Sequence, residues 1–282
     1  LKLLRSEPNH LLRATVCEAL GLIGEQDALS GLRERLAARE ETELVRAHAA
    51  LALARLGDRT GTKYLTDICG DPVPYMQTLG LAGLAQLRDP ELPAVLVSAL
   101  QSRYEEVWLL AVRTFPELGV GRALPALQLV LQSEVPEVRR RAALALGLMG
   151  YGEGLPYVEQ ALLEGGLAER HMAAELMGWL GHRGAVPLLI ERLRDAYSSV
   201  RMAAAVALAR LEAKEALPAL TEAARGPRAS MALALSRGAL PEVEEMLVLI
   251  GCVRFLSGEK DALALRTSPD AKNTRWPEYE RE

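Results

Sequence analysis

A thirteen-residue segment returns seven times along this 282-residue chain, and its spacing restricts the fold more than any other feature. The copies read LRATVCEALGLIG (12–24), VRAHAALALARLG (45–57), MQTLGLAGLAQLR (76–88), VWLLAVRTFPELG (107–119), VRRRAALALGLMG (138–150), ERHMAAELMGWLG (169–181) and VRMAAAVALARLE (200–212). The first step is 33 residues and each later step is 31. A constant period of this size marks a solenoid, whose units bury their apolar faces only by stacking on one another.

The first residue of each copy is taken as position zero. Position eight is then Leu20, Leu53, Leu84, Phe115, Leu146, Met177 and Leu208, and position eleven is Ile23, Leu56, Leu87, Leu118, Met149, Leu180 and Leu211. Position four is Val16, Ala49, Gly80, Ala111, Ala142, Ala173 and Ala204, small enough for a neighbouring helix to come close. Positions zero, four, eight and eleven form one stripe of a 3.6-residue helix. Gly24, Gly57, Gly119, Gly150 and Gly181 follow the last stripe residue, where a left-handed cap is expected. Six residues further on stand Pro125, Pro156, Pro187 and Pro218, which suit the first turn of a second helix. Each repeat therefore reads as an antiparallel helix pair, and the chain as an all-α, right-handed solenoid of seven to eight such pairs.

Position one is Arg13, Arg46, Gln77, Trp108, Arg139, Arg170 and Arg201. An arginine that returns once per repeat reads as a structural ladder bonded to loop carbonyls or nearby acids, with Asp71 and Asp195 as candidate partners. Arg139 belongs to the ladder; Arg140 and Arg141 do not.

The pattern VRxxAAxALxxLG, then a short loop and LPxL, resembles HEAT-like repeats, specifically the short class found in phycobilin lyases and many bacterial scaffold proteins. The likeness spans roughly residues 12–225, with a shortened eighth copy from Pro227. It implies that the copy helices line a concave surface. Because this repeat hosts many functions, it implies little about activity.

The solenoid is expected over 1–267, with a degenerate cap over about 226–267 and a disordered polar tail over 268–282, in which Trp276 is the one apolar anchor. LKLLR at the start reads as the end of a helix from a preceding repeat, so any upstream targeting segment would lie outside the sequence. The net charge of −4, from 33 basic and 37 acidic residues, argues against an electrostatic nucleic-acid binder. No apolar run is long enough for a membrane span. Cys17, Cys69 and Cys252 lack a CxxC spacing and read as separate thiols of a cytoplasmic protein.

Catalytic signals are missing. The four histidines precede Leu11, Ala49, Met172 and Arg183, so the His-Glu pairs of HEAT-like iron hydroxylases do not occur. His171 and Glu175 share a helix face but find no second ligand pair. GYGEG (150–154) is a cap loop without the lysine of a phosphate-binding loop. Glu105–Glu106 and Glu244–Glu245 are adjacent pairs suited to helix starts rather than acid/base dyads. No catalytic residue, metal site or cofactor is expected.

Positions two, three, six and ten lie opposite the stripe, and there apolar residues alternate with scattered charges. The expected partner-binding residues are Leu110, Arg113, Arg140, Arg141, Leu144, Leu148, His171, Met172, Glu175, Trp179, Met202, Val206 and Arg210. Arg140 and Arg141 read as rim charges beside an apolar groove, placed to meet acids on a partner. Trp, Met and Arg are the residue types enriched at interface centres. The expected function is a non-catalytic scaffold that binds a protein segment, such as an amphipathic helix. The alternative is a bilin lyase or chaperone-type protein holding a tetrapyrrole or a client. A DNA glycosylase of this repeat class is disfavoured by the charge balance.

Overall fold

A computed structural model describes residues 2–225 and 240–258. Among them every regular element is helical. The eighth copy expected from Pro227, the polar tail and Trp276 lie outside the described residues, apart from the helix within 240–258.

The chain divides into two compact units, Leu1–Ala145 and Leu146–Glu282. In the first, α1 (Lys2–Ser6) packs on α2 (His10–Ile23) and α3 (Leu29–Ala37). There follow α4 (Glu43–Arg55), α5 (Thr62–Ile68), α6 (Pro74–Gln86), α7 (Leu92–Ala99), α8 (Glu105–Thr114), α9 (Val120–Val130) and α10 (Pro136–Leu148). The helices that carry the repeated segment form one row, with α2 on α4, α4 on α6 and α6 on α8. The intervening helices back this row, with α3 on α4, α5 on α6 and α7 on both α8 and α9.

The second unit repeats the scheme with α11 (Leu155–Glu164), α12 (Leu167–Trp179), α13 (Val186–Arg192), α14 (Ser198–Arg210), α15 (Leu217–Arg225) and α16 (Leu240–Leu256). Here α12 packs on α14 and α14 on α16, while α11, α13 and α15 back α12, α14 and α16. The expected all-α helix-pair architecture is what the sequence folds into.

The small position-four residues allow this stacking. Ala49, Ala111, Ala142, Ala173 and Ala204 are fully buried. At Gly80 a Cβ would sit 2.6 Å from the Leu65 carbonyl oxygen and 2.7 Å from Cys69 Sγ, so only glycine lets α6 seat on α5. The row contacts are as tight: a Cβ on Gly21 would meet Ala52 Cα at 2.7 Å, and one on Gly178 would meet Ala207 Cα at 2.7 Å.

The cap slot has a positive φ in all seven copies. Gly24, Gly57, Gly119, Gly150 and Gly181 have φ between 66° and 83°, and the two copies without glycine hold Arg88 and Glu212 at φ 48° and 49°. In six copies the next N–H donates to the position-eight carbonyl, as in Tyr151 to Leu146 and Ala213 to Leu208. These are the 6→1 bonds of a Schellman motif. The fourth copy departs from the pattern. Pro116 has no N–H to give the helix, so α8 ends at Thr114 and a 3-10 turn runs over Phe115–Leu118. Gly119 then adopts ψ 155°, and α9 starts at Val120, which leaves Pro125 inside α9 rather than in its first turn. Pro156, Pro187 and Pro218 stand at the second residue of α11, α13 and α15, as the spacing requires.

The arginine ladder is present, and its members donate to backbone carbonyls five or six residues earlier, except Arg46, which reaches back ten residues to Leu36. Arg13 donates to the carbonyls of Glu7 and Pro8, Arg139 to Ser133, Arg170 to Gly165, and Arg201 to Asp195 and Ala196. Gln77 substitutes with a 2.5 Å bond to the Asp71 carbonyl. The acids act one repeat away. Arg13 pairs with Glu41 at 2.6 Å and Arg170 with Asp195 at 2.8 Å. The Asp71 carboxylate instead caps Val73 N–H.

Candidate functional site

Trp108 leaves the ladder without a donor in the fourth copy, and Arg141 fills the gap from the fifth. Its NH1 donates to the carbonyls of Leu100 at 2.7 Å and Ser102 at 2.9 Å, and its guanidinium lies 4.7 Å above the Trp108 ring. Ser102 precedes Trp108 by six residues, the same offset that separates Ser133 from Arg139. Arg141 is thus a half-buried structural residue, which corrects its reading as a rim charge. Arg140 needs the same correction: it is only 5% exposed, with NH2 3.6 Å from Glu137.

Of the other expected site residues in the first unit, Leu110 is half-buried, Arg113 exposed and Leu144 fully buried. In the second, Leu148 and His171 are half-buried, Met172 is 5% exposed and Glu175 is open to solvent. Trp179 is 46% exposed, and Met202, Val206 and Arg210 are half-buried. The expectation of an open apolar face therefore fails at Leu144 and Met172. A helix in a row has neighbours on its flanks as well as behind it, and periodicity along one helix identifies only the face turned to the backing layer. Of positions two, three, six and ten, position ten stays least covered: Leu22, Gln86, Glu117 and Trp179 are all exposed there.

The second unit brings several of these side chains together. Arg210 of α14 places its guanidinium 3.9 Å above the Trp179 ring of α12. Burial pulls Arg210 below the ordinary arginine value, and Glu175, one helical turn before Trp179, pulls it back up. His171 Nε2 lies 3.8 Å from Glu175, and its Nδ1 is 3.1 Å from the Ser199 carbonyl. The result is a large ring held flat by a cation, with an acid beside it. Sequence reasoning missed the His182–Glu159 contact at 2.8 Å, which joins a cap loop to α11. The two residues are 23 apart, and no repeat position marks either.

No group of three or more His, Cys, Asp or Glu side chains among the described residues is placed to hold a metal ion. Burial pushes the thiols of Cys17, Cys69 and Cys252 up to about 12, so none is a thiolate at neutral pH. No helix among the described residues is long and apolar enough to cross a membrane.

The family model for HEAT repeats matches residues 1–85, 92–169 and 167–240. No curated protein matches by sequence. Among solved structures, the chain is similar to one in a structure of Kap95p bound to RanGDP, at 15% identity and a TM-score of 0.50, covering 89% of this chain and 38% of that one. It is also similar to one from the complex of CpcE and CpcF of phycocyanin lyase from Nostoc sp. PCC7120, at 21% identity and a TM-score of 0.42, covering 73% and 84%. A third is human deoxyhypusine hydroxylase, at 20% identity and a TM-score of 0.33, covering 74% and 82%. With the repeated helix pairs, the shared cap slot and matches that reach from residue 1 to residue 240, the chain belongs to the HEAT-repeat family.

Proposed function

We propose that this protein is a non-catalytic scaffold that binds a segment of a partner protein, an amphipathic helix, on the α12–α14 face of its second unit. One observation supports this reading above the rest: Trp179 is 46% exposed although an indole of that size is normally covered, and Arg210 fixes its ring from 3.9 Å. A tryptophan already held in one orientation loses little freedom on binding, which is how a single aromatic anchor comes to dominate an interface. Met202 and Val206 extend the apolar surface, and Glu175 and His171 supply its polar edge.

The test is Trp179→Ala, followed by a melting curve and a titration with a partner identified through wild-type protein. The melting temperature should hold to within about 2 °C, because nearly half of this residue is open to solvent. Partner affinity should fall about thirtyfold, the scale of a hot-spot tryptophan. Unaltered binding by a folded Trp179→Ala protein would refute the α12–α14 face as the binding surface.

A further inference from the structure

One charge on the α12–α14 face is held in place but not neutralised. Arg210 is half-buried and stacked on Trp179, yet it makes no hydrogen bond or ion pair among the described residues. None of its nitrogens is both buried and unbonded, so its donors reach solvent. The ring beneath it is 46% exposed, and Glu175, one turn earlier on α12, is open as well. Glu175 acts on Arg210 through its charge, but its carboxylate lies by His171, at 3.8 Å, and forms no ion pair with Arg210. Other arginines of this unit end on acceptors. Arg170 reaches the Gly165 carbonyl and Asp195, and Arg183 reaches the Leu211 carbonyl and Glu215.

Stacking uses a flat face of the guanidinium and leaves the N–H donors along its edge for a planar acceptor. It also fixes the fork in advance, so little freedom is lost when an acceptor arrives. Half-burial has removed part of the hydration of the charge without replacing it, and a carboxylate gains more there than beside a fully hydrated arginine. One cation with Glu175 nearby suits a single negative charge; a dianion would meet the Glu175 carboxylate.

The register gives the order in which a partner meets these groups. Position ten runs Leu148, Trp179 and Arg210 in successive copies. A Cβ on Gly147 would meet Leu176 Cδ1 at 2.9 Å, so the last turn of α10 lies against α12, and α12 packs on α14. A segment crossing this row passes an aliphatic, an aromatic and a cationic side chain. Because the guanidinium lies over the ring and not beyond it, one helical turn of the partner, about three or four residues, spans both.

We propose that the partner segment carries an acidic side chain that pairs with Arg210, one turn from the apolar residue that packs on Trp179. This inference rests on the α12–α14 face being the binding surface, and the test separates the two.

A phage-displayed library of randomised helical peptides is selected in parallel on the wild-type protein, Trp179→Ala and Arg210→Met, each checked by a melting curve. Peptides recovered on wild type should bind Trp179→Ala poorly and carry Asp or Glu about three or four residues from a large apolar residue. In one such peptide, synthesised, exchanging the acid for its amide should weaken binding to wild type about tenfold or more and leave binding to Arg210→Met unchanged, the signature of a direct pair. Arg210→Lys provides the comparison if Arg210→Met folds poorly; it keeps the charge without the planar fork, so the amide exchange should cost less than against wild type. Peptides that depend on Trp179 but lack an acid at that spacing, or place lysine or arginine there, would overturn the pairing and leave the face intact. An amide exchange that weakens binding equally in wild type and Arg210→Met would do the same. Peptides indifferent to Trp179→Ala, or a selection that recovers none, would overturn the face and the pairing with it.

Discussion

Two residues hold a left-handed backbone conformation in a slot where their five equivalents are glycine, and replacing them should strengthen the protein. Arg88 and Glu212 stand at φ 48° and 49° in the cap slot. For a residue with a Cβ, this left-handed region costs roughly 1–2 kcal/mol. Glycine removes that cost but adds about 0.5–1 kcal/mol of chain entropy on folding. The difference favours glycine by about 0.5–1 kcal/mol at each site. Nothing else should change: both side chains are exposed and neither makes a side-chain hydrogen bond among the described residues, while the backbone bonds from Arg88 to Ala85 and from Glu212 to Ala209 are available to glycine. The sites lie in different units and share no partner, so Arg88→Gly and Glu212→Gly should add, to about 1–2 kcal/mol. Urea unfolding, followed by circular dichroism and with each unit fitted separately if two transitions appear, should move to higher midpoints at unchanged slope. Gly150→Val provides the converse and should cost about 1 kcal/mol or more. A lower midpoint for either glycine variant, or a neutral Gly150→Val, would show that the cap slot does not limit stability and would refute the reasoning.

Three other outcomes follow from contacts described above. Ala173 is fully buried where α12 meets its neighbours, so Ala173→Leu should overpack and cost roughly 1–3 kcal/mol, read as a lower melting temperature. Arg141→Glu should destabilise the fold by about 1–3 kcal/mol, because it strips the Leu100 and Ser102 carbonyls of their donor and sets a carboxylate against them; stability unchanged in urea would contradict its structural role. Burial tends to raise the Asp195 carboxyl, but the Arg170 guanidinium and the Tyr197 N–H outweigh it and hold the group below its ordinary value. Its stabilising contribution is then complete above about pH 4 and is lost as pH falls through the lower folded value, so Arg170→Met should flatten the acid limb of a stability-against-pH curve.

The parts of this structure that recur were legible in the sequence, because every copy states them again. The stripe, the small position-four residues, the cap glycines and the arginine ladder each appear in most repeats, and each has a local physical cause. The exposure of single residues was less legible. Leu144 and Met172 sit opposite the stripe and yet are buried, since flanking helices cover what periodicity along one helix leaves open. A signal was available: AHAALALA in α4 and AAAVALA in α14 are apolar all the way round, the mark of a helix enclosed on several sides. Arg141 was illegible for another reason. Its function answers a defect at Trp108, 33 residues earlier, and only the fold shows that the two meet.

That meeting also limits how such an array can be edited. Repeat chains grow and shrink by gaining or losing whole copies, and a junction tolerates this when each copy carries its own parts. The fourth and fifth copies do not. Loss of the fifth would remove the donor that reaches Ser102 from the next copy, and a transplanted fourth would bring Trp108 without the guanidinium that covers it. Residues 102–141 are therefore a single heritable cassette, longer than the 31-residue period, and recombination should preserve or discard it whole.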